Sequence, residues 1–106
     1  MTTANRFDAK DPAEKQVLTF DFSLGLATGE TLTGTPTVSI AVLYGTDPSP
    51  GNVLAGGNAF DPTNTKYFVP VQGGVDLTDY DIVVKASTTN AVKTLTLGGI
   101  LPVRAQ

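Results

Sequence analysis

Apolar and polar residues alternate with a period of two in several short runs, each bounded by turn formers. In Gln16-Val17-Leu18-Thr19-Phe20-Asp21-Phe22, Leu18, Phe20 and Phe22 fall on one face, and Val17, Thr19 and Asp21 on the other. That is the pattern of a half-buried strand. Thr37 to Tyr44 repeats it and directs Val38, Ile40, Val42 and Tyr44 to a core. Lys66 to Gln72 is a third run, interrupted by Pro70. A proline donates no ladder hydrogen bond, so this run reads as an edge strand or a bulged one. Tyr80 to Ala86 and Val92 to Leu97 follow, and the pair Gly98-Gly99 predicts a bulge before the closing Ile100 to Val103. Turns are predicted at Ala27–Glu30, at Gly45–Asn52, around Gly56–Asn58 and Asp61–Asn64, at Gly73-Gly74 and at Ser87–Asn90. Thr31–Thr33 and Val53–Ala55 are brief extended pieces between them.

No stretch of ten or more residues shows helical periodicity, and no internal repeat is present. About seven short strands point to an antiparallel sandwich, with a small barrel as the alternative. Leu77-Thr78-Asp79-Tyr80, followed by Ile82, Val84 and Ala86, sharpens this. A tyrosine opening the penultimate strand can bond back to the preceding corner, as in immunoglobulin-like domains, and Leu77 would pack beneath that corner. The expected fold is an all-β, immunoglobulin-like antiparallel β-sandwich of about seven strands. Its expected core includes Leu18, Phe20, Val38, Ile40, Val42, Tyr80, Ile82 and Val84. Met1 to Glu14 is polar and aperiodic, with Asp11-Pro12 discouraging a helix, and reads as a flexible arm (residues 1–14) whose last part docks. Residues 15–106 form the single domain, since a chain of 106 residues builds one core.

Composition narrows the chemistry. The net charge is −3, and the seven basic residues are scattered, so the clustered cations that a phosphate backbone requires are missing and nucleic acid is not an expected partner. Cysteine and histidine are absent, which removes zinc–thiolate sites, thiol nucleophiles and the usual general base at neutral pH. Asp76, Asp79 and Asp81 are the nearest approach to a carboxylate cluster, and they read as corner-capping and outward-facing strand residues. Asp47, Asn52, Asp61 and Asn64 lie in loops without the spacing of a calcium loop. No catalytic residue, cofactor or metal is expected. The first residues lack the apolar core of a signal peptide and no run reaches membrane length, so a cytoplasmically made protein, without membrane contact, is expected. Charged residues are only 16% of the chain, against about 25% in ordinary soluble domains. Either hydroxyls and amides solvate the surface, or neighbours in an assembly cover it.

Two segments together resemble a known family. Lys10-Asp11-Pro12, the aromatic–Asp–aromatic strand Phe20-Asp21-Phe22 and the Gly29-Glu30-Thr31 turn stand near the start. Gly73-Gly74, Tyr80-Asp81-Ile82-Val83-Val84, Thr88-Thr89, Lys93-Thr94-Leu95 and Leu101-Pro102-Val103-Arg104 stand near the end. The ensemble resembles the small Ig-like fibre–tail adaptor proteins of tailed-phage structural operons. Phe22 and Val38 stand where that family commonly has tryptophan, and the Gly45–Asn64 loop is longer and richer in glycine and proline. The resemblance implies a phage virion protein at the tail, mediating contacts with other tail or fibre proteins and forming homo-oligomers in the particle. A host-surface or glycan-binding module and a head-decoration protein are the alternatives. Tyr67 and Phe68 point to opposite faces of a strand, so one of them must face outward or into an interface. Arg6, Lys10, Asp11, Asp47, Asn52, Tyr67 and Phe68 are the candidate interaction residues.

Overall fold

The computed structural model describes residues 4–106. Its seven strands are β1 (Ala4–Arg6), β2 (Gln16–Asp21), β3 (Leu32–Tyr44), β4 (Ala59–Phe60), β5 (Lys66–Val71), β6 (Thr78–Thr88) and β7 (Thr94–Val103). Two single 3-10 turns, Ser23–Gly25 and Pro50–Val53, punctuate the loops. Six strands build two three-stranded antiparallel sheets, β7-β6-β3 and β2-β5-β4, and β1 adds to the first in parallel with β7. The result is an all-β sandwich. Its first pole gathers the ends of β3, β5 and β7, the start of β6 and the C-terminus. The second gathers the β2–β3, β4–β5 and β6–β7 connections.

Period-two alternation places the core as expected in β2, where Leu18 and Phe20 are buried with Phe22 just beyond, and in β6, where Tyr80, Ile82 and Val84 are fully buried. β5 contributes Tyr67, Val69 and Val71. Val38, Ile40 and Val42 of β3 pack against this core but remain half-buried, for β3 is an edge strand and its opposite number β4 is only two residues long. Tyr44 departs from the expected pattern. A register shift between Val42 and Tyr44 turns it out of the core, and it is 70% exposed.

Pro70 does not mark an edge. β5 is the central strand of its sheet. The pairing of β4 reaches only as far as Phe68, and beyond that point the Pro70 carbonyl accepts from Ala55 N at 3.1 Å. In an extended strand the N–H and C=O of one residue point to the same side, so the missing donor falls where no ladder strand asks for it. Nor do Gly98 and Gly99 form a bulge, for the β6–β7 register runs unbroken through them. Their reason is steric. A Cβ on Gly99 would sit 2.3 Å from Phe7 Cε2, so the glycine is the socket into which Phe7 drops. Phe7 meets Phe20 edge-on there, with ring centroids 5.5 Å apart.

The N-terminal segment is accordingly not a free arm over its described part. Ala4, Asn5 and Arg6 pair in parallel with Gly98, Gly99 and Ile100. Lys10 N donates to Pro102 O and Arg104 N donates to Lys10 O, each at 2.9 Å. The expected flexibility of Met1 to Thr3 lies outside the described residues.

Tyr80 makes the corner. Its hydroxyl accepts from Val75 N at 2.9 Å and donates to Asp47 Oδ2 at 2.7 Å, tying the β5–β6 corner to the loop after β3. Burial and the Asp47 carboxylate together push its pKa up to about 12. Leu77 does not pack beneath the corner: it adopts a left-handed φ of 64° and is 65% exposed. Replacing Tyr80 with Phe strands the Val75 N–H and the Asp47 carboxylate together. The variant should lose about 1–3 kcal/mol, read as a lowered urea midpoint with an unchanged m-value.

Candidate interaction surface

Of the seven candidate residues, five fall at the first pole, though not all of them reach the surface. Lys10 is wholly buried, and its Nζ donates to Gly73 O at 2.6 Å and Asp11 O at 2.8 Å. Burial lowers its pKa, with Glu14 and Asp11 pulling the other way. Lys10 is thus a pin between the N-terminal segment and the β5–β6 corner, and its ammonium is closed to a partner. Asp11 accepts from Ala13 N and from Gln106 N, each at 2.8 Å, which holds its carboxyl below the usual range and fastens the C-terminal tail. Asp47 is occupied by the Tyr80 hydroxyl and by Ser49 N at 2.8 Å. Arg6 is exposed and reaches Asp79 Oδ2 at 3.5 Å, while Arg104 holds the other Asp79 oxygen at 2.8 Å.

Asn52, exposed in the Pro50–Val53 turn, lies at the same pole, where its carbonyl accepts from Gln72 Nε2 at 3.3 Å just beyond the end of β5. The remaining two lie apart. Tyr67 is buried against Phe60, with ring centroids 5.1 Å apart, and is not a surface residue. Phe68 is its outward-facing neighbour, half-buried between Thr19 and Ala59 on the outer face of the smaller sheet.

Beside the exposed Arg6, the first pole presents three apolar side chains. Tyr44 pairs in register with Asp79, and Leu77 and Val75 flank the same corner, all three exposed. Gly45 lets the chain pass, for a Cβ there would lie 2.9 Å from Leu77 O, and its φ is 97°. The second pole also carries apolar tips. Leu24, in the Ser23–Gly25 turn, and Val92, in the β6–β7 turn, are almost completely exposed. Single apolar residues set among turn formers were the available sequence signal for Leu24 and Val92. Alternation misplaced Tyr44 because the bulge that turns it out is invisible to periodicity.

Rigid polar braces hold the second-pole loops. Asp61 accepts from Thr63 Oγ1, Thr65 N and Lys66 N, which keeps its carboxyl well below the ordinary range. Glu30 accepts from Lys93 Nζ at 2.7 Å, Ala27 N at 2.8 Å and the Thr88 hydroxyl at 3.0 Å, and these donors hold its pKa down to about 2. Because the folded-state value is depressed, the brace is at full strength above the unfolded value near 4.5 and is lost as pH falls towards about 2. Thermal midpoints recorded across that window should therefore fall less steeply in Glu30→Gln than in the wild type.

Among the described residues, no group of three or more carboxylates is placed to hold a metal ion, and no helix is long and apolar enough to cross a membrane. A model of the family described as Podophage GP4 fiber-tail adaptor protein gp77 matches residues 10–97, beginning at the buried Lys10. No curated protein and no solved structure matches the chain. The match spans most of the sequence, from the lysine pin to the middle of β7, and the chain belongs to the podophage fibre–tail adaptor family.

Proposed function

We propose that the protein is an immunoglobulin-like connector in a phage particle, joining a fibre component at one pole of its sandwich to a tail component at the other, without catalysing a reaction. The strand order supports the Ig-like part of this reading. With β2 to β7 lettered B to G, the sheets are B-E-D and C-F-G, the immunoglobulin order, and Tyr80 occupies the tyrosine-corner position on strand F.

The observation that carries the connector role is the pairing of two apolar-tipped poles on a body with a longest extent of 42 Å. An adaptor needs two contact surfaces that do not compete, and exposed apolar side chains on loops braced by buried hydrogen bonds supply anchors at little entropic cost. The family to which the chain belongs supplies the class of partner. Synthesis in the host cytoplasm and incorporation into the virion complete the proposal.

The two poles should be separable by mutation. Tyr44→Asp combined with Leu77→Asp alters only exposed positions at the first pole, and Leu24→Asp combined with Val92→Asp does so at the second. In pull-downs with the tail and fibre proteins encoded beside it, each pair should weaken one partner at least about tenfold, a loss of about 1.4 kcal/mol, and leave the other unchanged. Loss of both partners together, or of neither, contradicts a two-ended connector.

A further inference from the structure

We infer that β3 is a pairing edge for a second copy of this chain, so that two copies join β3 to β3, antiparallel, into one continuous eight-stranded sheet. The inference stands on β3 alone and does not depend on which proteins the poles bind.

β3 runs for 13 residues and pairs only with β6. Among the described residues, no main-chain hydrogen bond reaches its other side from Thr37 to Tyr44. Long exposed edges are ordinarily guarded by charge, proline or a bulge. Here such guards stand at the two ends of the strand: Gly34, Pro36 and the shift between Thr33 and Thr37 at its start, and the shift between Val42 and Tyr44 at its finish. The segment between them, Thr37-Val38-Ser39-Ile40-Ala41-Val42, contains no charged residue and no proline. It is apolar and β-branched, the composition that pairs readily with another strand. Its inward side chains Val38, Ile40 and Val42 are half-covered, whereas their register partners Val84, Ile82 and Tyr80 are fully buried. A strand added at this edge would extend the ladder and cover those side chains.

The edge itself describes its occupant: an extended, uncharged segment with apolar residues at every second position. Of the strands at sheet edges, β1 carries Arg6, β2 ends in Asp21 and β4 has two residues. β3 alone meets the description among them. A two-fold axis requires a surface complementary to itself. β3 meets that requirement because no like charges are set opposite each other when it lies antiparallel on its own copy, even though the chain as a whole carries −3. An uninterrupted edge of six residues, Thr37 to Val42, buries less than a standard interface of about 1,600 Å², so the dimer is a weak one in solution.

Sedimentation velocity on the full chain, from micromolar to millimolar concentration, tests the inference. The wild type should show a concentration-dependent dimer. Ser39 and Ala41 lie on the exposed outer face of β3, so charge there leaves the core intact, as an unchanged thermal midpoint would verify. The Ser39→Lys/Ala41→Lys variant should weaken the dimer at least about tenfold by opposing like charges. Ser39→Glu/Ala41→Glu should do the same, and an equimolar mixture of the two should dimerise again. A wild type that stays monomeric throughout, a lysine variant that dimerises as before, or a mixture no better than its parts would each overturn the pairing of β3 with itself.

Discussion

Two sheets of unequal width cannot cover one another, and most of the particular features of this sandwich answer that mismatch. The larger sheet has four strands and the smaller has three, of which β4 is only two residues long. Apolar side chains leave water only where something lies across from them. At the middle of the larger sheet, β6 and β7 face β2 and β5, and Tyr80, Ile82, Val84, Leu101 and Val103 are fully buried. Towards β3 the cover thins. At the opposite margin the N-terminal segment makes up the deficit, laying β1 beside β7 and inserting Phe7 over Gly99 against Phe20.

Polar groups then fix what packing alone would leave loose. The Lys10 ammonium is held by two carbonyls from different segments, and the Tyr80 hydroxyl bridges a backbone N–H and a carboxylate. No buried side-chain nitrogen or oxygen among the described residues is left without a partner. Desolvated polar groups are tolerable only on that condition, and a satisfied network specifies one arrangement of the loops over its competitors. The loops at the poles are therefore tied at several points despite their content of glycine and proline, and an apolar tip on a tied loop would lose less entropy on docking than one on a free loop.

The sequence disclosed the parts of this structure that local periodicity governs. Leu18 and Phe20, the inward face of β6 and the corner at Tyr80 follow from alternation and from one recurrent motif. What it concealed depends on contacts between residues far apart in the chain. Pro70 resembles an edge signal because nothing local reveals that β4 stops short of it. Gly98 and Gly99 resemble a bulge because the ring that Gly99 accommodates comes from Phe7. Lys10 reads as a surface cation until the Gly73 carbonyl is seen above it, so a residue chosen for contact proved to belong to the interior. Tyr67 and Phe68 were rightly divided between two faces, but only the structure assigns the buried side to Tyr67. Tyr44, Leu77, Leu24 and Val92 escaped notice as surface features because apolar residues are expected inside.

The parallel pairing of β1 with β7 also bears on how the domain is made. The first described residues of the chain lie beside nearly the last, and Lys10 bridges to Val103. On the ribosome, the segment around Phe7 and Lys10 emerges long before the strand that receives it, and it must wait unpaired until β7 has been made. Contacts so distant in sequence slow closure and leave apolar surface exposed meanwhile. A chain that has not yet gained β7 can assemble the β2–β5 and β3–β6 pairs, but the margin at Gly99 closes only once β7 is there to receive Phe7.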